Sequence, residues 1–154
     1  MKDEKLPWPI VAMAVTPILG ILAFVAIAVW LKLDARAADT ITITHIRDAD
    51  TVCERQEGPC YRLQGVDAPE RGDKCQAALE ARVYGLQWWS QYMHLPYKIT
   101  GRFGKSYDRE VVTMRGGFRG YDVGTQLLNA GAVKPWPHDP KTNKPTAPRP
   151  VWCP

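Results

Sequence analysis

The chain has 154 residues, with 20 Lys and Arg against 16 Asp and Glu and four cysteines. That length suits one domain rather than several, and a net charge of +4 is only weak support for a polyanionic partner, because the distribution of charge matters more than its sum. The cysteines, at positions 53, 60, 75 and 153, contain no close pair and so exclude a zinc-binding pattern.

Residues 1–5 are a short charged leader, and residues 6–31 form an uncharged run of 26. A secretory hydrophobic core spans about 7–15 residues, whereas a membrane-crossing helix needs about 20. By length this is a transmembrane anchor. Ala35-Arg36-Ala37 followed by Ala38 reads instead as a signal-peptide cleavage site. On either reading the protein is exported. Residues 1–38 are a hydrophobic helix serving as signal peptide or anchor, and the domain is tethered outside the membrane or released, secreted or periplasmic. The lysines and arginine flanking the run do not fix its orientation.

The domain proper, residues 39–134, opens with the alternating segment Thr40-Ile-Thr-Ile-Thr-His-Ile46, which predicts a strand with its isoleucines on one face. His45 falls among the outward threonines and is set aside as incidental. Arg47-Asp48-Ala49 turns the chain into a hairpin: Thr51-Val-Cys-Glu54, a turn around Gln56-Glu57-Gly58-Pro59, and Cys60-Tyr-Arg-Leu-Gln-Gly-Val66. Side chains alternate along a strand, so Thr51 shares a face with Cys53, and Arg62 with Cys60. Asp50 and Asp67 fall at strand ends, with Glu70 just beyond in a Pro-stiffened turn. Acids at strand ends beside an arginine suit a hard cation and a phosphate.

Residues 75–93 read as a helix. Leu79, Val83, Leu86 and Met93 form one stripe, and Ala81, Tyr84, Trp88 and Tyr92 an adjoining one, a broad apolar face expected to pack on a sheet. Trp88 and Trp89 are assigned to the core rather than to base stacking. Two strands follow, 97–103 and 107–114, with Arg109 early in the second. The Arg115-to-Gly120 stretch is a loop, Asp122 caps a short helix through Asn129, and Gly131 stops it. From Pro135 to Pro154 seven of twenty residues are proline, so this tail is extended. Val151-Trp152-Cys153 is expected to pin it back onto the domain.

An exported domain oxidises its cysteines. The hairpin sets Cys53 opposite Cys60, which leaves Cys75 with Cys153 by elimination. On the chain-entropy model a loop of that length is worth about 4 kcal/mol.

Asp-Ala-Asp-Thr at 48–51, Arg-Leu-Gln-Gly-Val-Asp-Ala-Pro-Glu at 62–70 and Ser-Tyr-Asp-Arg-Glu-Val at 106–111 together resemble, in order, the motifs of the thermonuclease family of staphylococcal nuclease-like domains. The resemblance covers residues 40–134. It implies a mainly β fold with helices (β+α): a small five-stranded Greek-key barrel of the OB type with two packed helices. It also implies a monomeric calcium-dependent nuclease that hydrolyses the phosphodiester bonds of DNA or RNA. Asp50 and Asp67 match the family's calcium-binding aspartates, with backbone oxygen and water completing the shell. Glu70 matches the glutamate that activates the attacking water, and Arg62 and Arg109 match the phosphate-clamping arginines.

This chain departs from the family's pattern at several points. Ala49 stands where a glycine is usual and is strained if that position needs positive φ. Ala68 can offer a cation only its carbonyl. Asp108 puts a carboxylate next to Arg109, either to pair with it or to point away. The substrate-contacting tyrosines expected after the second helix are replaced by Val-Lys-Pro-Trp-Pro, with Trp136 as the candidate substitute. The alternative reading is therefore a catalytically weak or inactive OB-fold module at the membrane that binds a polyanion or a protein.

Overall fold

The computed structural model describes Ile27 and residues 39–154. The expected N-terminal helix, and with it the choice between anchor and cleaved leader, lies outside the described residues. Among those described, no helix is long and apolar enough to cross a membrane.

The order of elements is β1 (Thr40–Thr42), β2 (His45–Asp48), β3 (Thr51–Cys53), β4 (Cys60–Leu63), β5 (Val66–Asp67), α1 (Gln76–Tyr92), β6 (Pro96–Ser106), β7 (Arg109–Arg115), α2 (Val123–Asn129) and β8 (Lys134–Pro135). Six strands form one sheet in the order β1-β6-β7-β4-β3-β2, and β5 pairs with β8 in a separate ribbon. All neighbouring pairs are antiparallel except β4 and β7, which run parallel.

The segment expected to be one opening strand is broken at Ile43 and Thr44, and its halves lie at opposite edges of the sheet. Three Cα steps reach at most about 11 Å, so the sheet must curl until its edges approach one another. The result is a curled half-barrel. Ile43, at the bend, is fully buried. Register shifts in the β2–β3 and β6–β7 pairs add local twist to the curl, and Gly104 takes a positive φ of 87° within β6.

The inside of the curl is filled by Val52, Leu63, Val112 and Met114 from the sheet, Trp89 from α1 and Leu127 from α2. Trp88 and Trp89 are both buried and meet edge to face, as expected of core residues. The broad face expected for α1 is buried only in part. Ala81 and Trp88 are buried as expected, and Tyr92 and Met93 pack against the core, but Leu79, Val83, Tyr84 and Leu86 are exposed, and Ala78, Gly85 and Trp89 are buried in their stead. Close approach decides this: a Cβ on Gly85 would stand 2.6 Å from the Ala49 Cβ, so the small-residue face is the one that fits the β2–β3 turn.

Asp122 caps α2 by accepting from the Thr125 N–H at 2.8 Å, and Gly131 follows with φ of 71°. The proline-rich tail then returns across the domain. Trp152 is buried against Ala78 and Ala81 of α1. Disulfides join Cys53 to Cys60 and Cys75 to Cys153, and the first spans directly opposed residues of β3 and β4. Two such bridges fit an oxidising, exported setting.

Candidate functional site

The site grows from the β2–β3 turn and the β3–β4 hairpin. Thr51 lies opposite Arg62 in the register of β3 and β4, so one cross-strand pair sets the guanidinium beside the turn that carries Asp50. Asp67, at the end of β5, is fully buried. Arg62 Nη2 lies 3.0 Å from Asp50 Oδ2 and 3.1 Å from Asp67 Oδ1. One nitrogen therefore bridges two buried carboxylates. Asp50 also accepts from the Thr51 hydroxyl at 2.8 Å and from the Ala68 N–H at 3.0 Å.

Arg109 opens β7 and reaches the same place from the other side, with Nη1 3.3 Å from Thr51 Oγ1. Its neighbour Asp108 does not pair with it but faces Arg47 at 3.5 Å. Tyr107 has positive φ at 58° and is 91% exposed, so residues 107–108 form a turn rather than the start of the strand. Ala49 does not require positive φ. It is buried, and its carbonyl accepts from Trp89 Nε1 at 3.0 Å.

Arg62, Arg109 and Glu70 line one open cleft of about 360 Å³, joined by Lys105, Trp136 and Arg149. Trp136 lies within 5.8 Å of the Arg62 guanidinium and 5.7 Å of that of Arg149, in the range of cation–π attraction. An adjoining recess brings Asp48 and Asp50 together with Glu70. Burial, reinforced by the nearby Asp50 charge, raises the pKa of Asp48.

Arg149 is the participant the sequence reading missed. It sits 79 positions beyond Glu70 in a proline-rich stretch with no motif around it, and only its proximity to Cys153 hinted that the tail returns. Its Nη2 lies 2.6 Å from Glu70 Oε1 and 2.9 Å from Asp67 Oδ1, and its Nε donates to Asp67 Oδ1 at 3.0 Å. These partners, hydrogen bonding to Asp67 foremost, raise the pKa of Arg149 further above its ordinary value.

The residues as arranged do not fit a calcium ion. Calcium takes six to eight oxygen ligands, yet all four carboxylate oxygens of Asp50 and Asp67 already accept from protein donors. Asp67 Oδ2 is 3.4 Å from Trp152 Nε1, and Asp67 Oδ1 receives both Arg62 and Arg149. Among the described residues no group of three or more acids, histidines or cysteines is placed to hold a metal.

No family model matches the chain, and no curated protein matches it either.

Proposed function

We propose that this chain is an exported phosphodiester hydrolase acting on DNA or RNA, in the manner of the thermonuclease-like domains that its motifs resemble. The observation that carries the reading is the convergence of Arg62, Arg109 and Glu70 on one cleft, where four cationic side chains stand against a single carboxylate. That balance suits a phosphodiester backbone. Arg109 approaches from β7 and Arg62 from β4, so two planar forks can hold the non-bridging oxygens from two directions. Both would also offset the charge that grows on those oxygens as water attacks phosphorus, usually the larger share of such catalysis. Glu70, with a side chain 63% exposed, stands where it can orient that water and take its proton. Trp136 offers an aromatic wall beside the arginines, suited to a base splayed from a single strand.

The finer fold assignment belongs to the same proposal. Taken as one bent strand, β1 and β2 bring the count in the six-stranded sheet to five, with a helix after the third of these strands and another after the fifth, the β5–β8 ribbon standing apart. The parallel β4–β7 pair supports an OB-type barrel. Calcium is the cation that the resemblance implies. With each oxygen of Asp50 and Asp67 engaged, no step of this mechanism is routed through it.

One observation favours the alternative of a polyanion-binding module without turnover: the Glu70 carboxylate is held by Arg149 at 2.6 Å. Cleavage of denatured DNA by the oxidised chain, beside Glu70→Gln, separates the two. A loss of about 10²- to 10⁴-fold in kcat, with KM little changed, is expected for a general base. Equal losses in turnover and affinity would remove Glu70 from that role. Tight binding with no cleavage by either protein would establish the module.

A further inference from the structure

We infer that Arg149 takes the place of a divalent cation in this site: a guanidinium, delivered by the tail and moored by the Cys75–Cys153 bridge, serves as a third phosphate-binding charge, so that hydrolysis proceeds without calcium. The inference rests on the hydrolase reading above and goes beyond it in naming the cation.

Three observations lead there. One nitrogen, Nη2, contacts both Asp67 and Glu70, as a metal ion bridging the two carboxylates would. The arginine is only partly covered, with 42% of its side chain exposed, and it lines the same open cleft as Arg62 and Arg109. The tail therefore forms a wall of the cleft rather than a plug in it. Nε and Nη2 make the carboxylate bonds, which leaves Nη1 for a phosphate oxygen; a planar fork can divide its donors in this way and a lysine cannot.

The anchorage is built to hold that position. Trp152 packs on Ala78 and Ala81 of α1 and points Nε1 toward Asp67. Lys134 holds the Val151 carbonyl at 2.8 Å. Cys153, four residues beyond Arg149, is bonded to Cys75 just before α1. A mobile arginine would lose its ordering entropy each time it bound phosphate, and this one has lost it in folding.

The test uses the oxidised full-length chain and Arg149→Gln, with denatured DNA as substrate, EGTA or calcium in the buffer, and calorimetric titration of calcium chloride and of inorganic phosphate. Wild type should cleave equally, within about twofold, in EGTA and in calcium, and should show no calcium-binding heat. Arg149→Gln should lose about 100-fold in rate, the usual cost of one charge-stabilising donor, and bind phosphate about tenfold more weakly, the loss of roughly one charge-assisted bond.

Abolition of wild-type cleavage by EGTA overturns the inference, and it does so even if the variant fails to fold. A variant that cleaves as fast as wild type, or faster, also overturns it and makes the tail a plug. If wild type cleaves under neither condition, the hydrolase reading falls and phosphate decides alone. Weakened phosphate binding in Arg149→Gln keeps Arg149 as an anion-binding residue, and unchanged binding removes it.

Discussion

Asp108 turns its carboxylate to Arg47, 3.5 Å away, and leaves the adjacent Arg109 guanidinium to the Thr51 hydroxyl at 3.3 Å. The turn at Tyr107 separates these two neighbours in sequence. The Asp108 side chain is 70% exposed, and an exposed pair of this kind is worth about 0–1 kcal/mol. Asp108→Asn should therefore change both cleavage and stability little, with rates within about twofold of wild type. A tenfold gain in phosphate affinity would mean that Asp108 does compete for Arg109.

The two arginines proposed to clamp the phosphate should separate in their effects. Arg62 neutralises two buried aspartates, and removing one partner of a buried ion pair costs about 3–5 kcal/mol. Arg62→Ala is expected to lower the urea midpoint by that equivalent. Arg109 makes one bond to a hydroxyl and one to the Ser106 carbonyl, and neutral partners of this sort contribute about 1 kcal/mol each. Arg109→Ala should lower the urea midpoint by less than Arg62→Ala, the equivalent of about 2 kcal/mol, while losing phosphate affinity. Equal destabilisation by the two would contradict the assigned division of labour.

Asp48 carries a pH prediction. Its pKa is raised by burial first and by the Asp50 charge second, so the folded protein binds that proton more tightly than the unfolded chain does. The contribution of Asp48 to stability is thus fully present below the ordinary aspartate pKa and is lost as pH rises through the raised one. At neutral pH Asp48→Asn should stabilise the fold. Carboxyl NMR on Asp50→Asn should show Asp48 titrating lower than in wild type yet still above an exposed aspartate, because burial remains. No movement would mean that Asp50 does not act on it.

Gly85 sets how closely α1 approaches the turn that bears Asp48 and Asp50. With Ala49 Cβ only 2.6 Å from where a Gly85 Cβ would lie, Gly85→Ala must push helix and turn apart. Overpacking of this kind costs about 1–3 kcal/mol. The Trp89–Ala49 hydrogen bond should lengthen with it, which the indole N–H shift of Trp89 would report. A melting temperature equal to that of wild type would show that the helix can slide.

These contacts also mark where the sequence was readable and where it was not. The hairpin pairing was legible because Cys53, the turn residues and Cys60 lie within one local unit with a period of two, so Cys53–Cys60 followed from the fold-back, and the shared faces of Thr51 with Cys53 and of Arg62 with Cys60 followed from alternation. The Asp122 cap and the Gly131 stop were legible for the same reason: each acts over three or four residues. The orientation of α1 was legible only in part: Ala81 and Trp88 lay on the expected face, but Leu79, Val83 and Leu86 carry more hydrophobicity than Ala78 and Gly85. Steric fit to Ala49 and Trp152 outweighed it, and both lie far away in sequence. The break at Ile43 was hidden by an unbroken alternating pattern, since only the closure of the sheet demands it. Arg149 belongs to the same class: one arginine among prolines, given meaning by a bridge of 78 positions.

That bridge has a consequence for the integrity of the chain. The Tyr107 turn is the sort of exposed, protruding tip at which proteases nick folded domains. A cut there would divide the backbone between Cys75 and Cys153, and so would a cut in the tail before Cys153. Neither would part the molecule, because the two fragments stay covalently joined through sulfur. On a gel such a nicked chain runs as one band until thiol is added and as two bands afterwards. In surroundings rich in proteases and poor in reductants, a backbone break need not separate Arg149 from the carboxylates it holds.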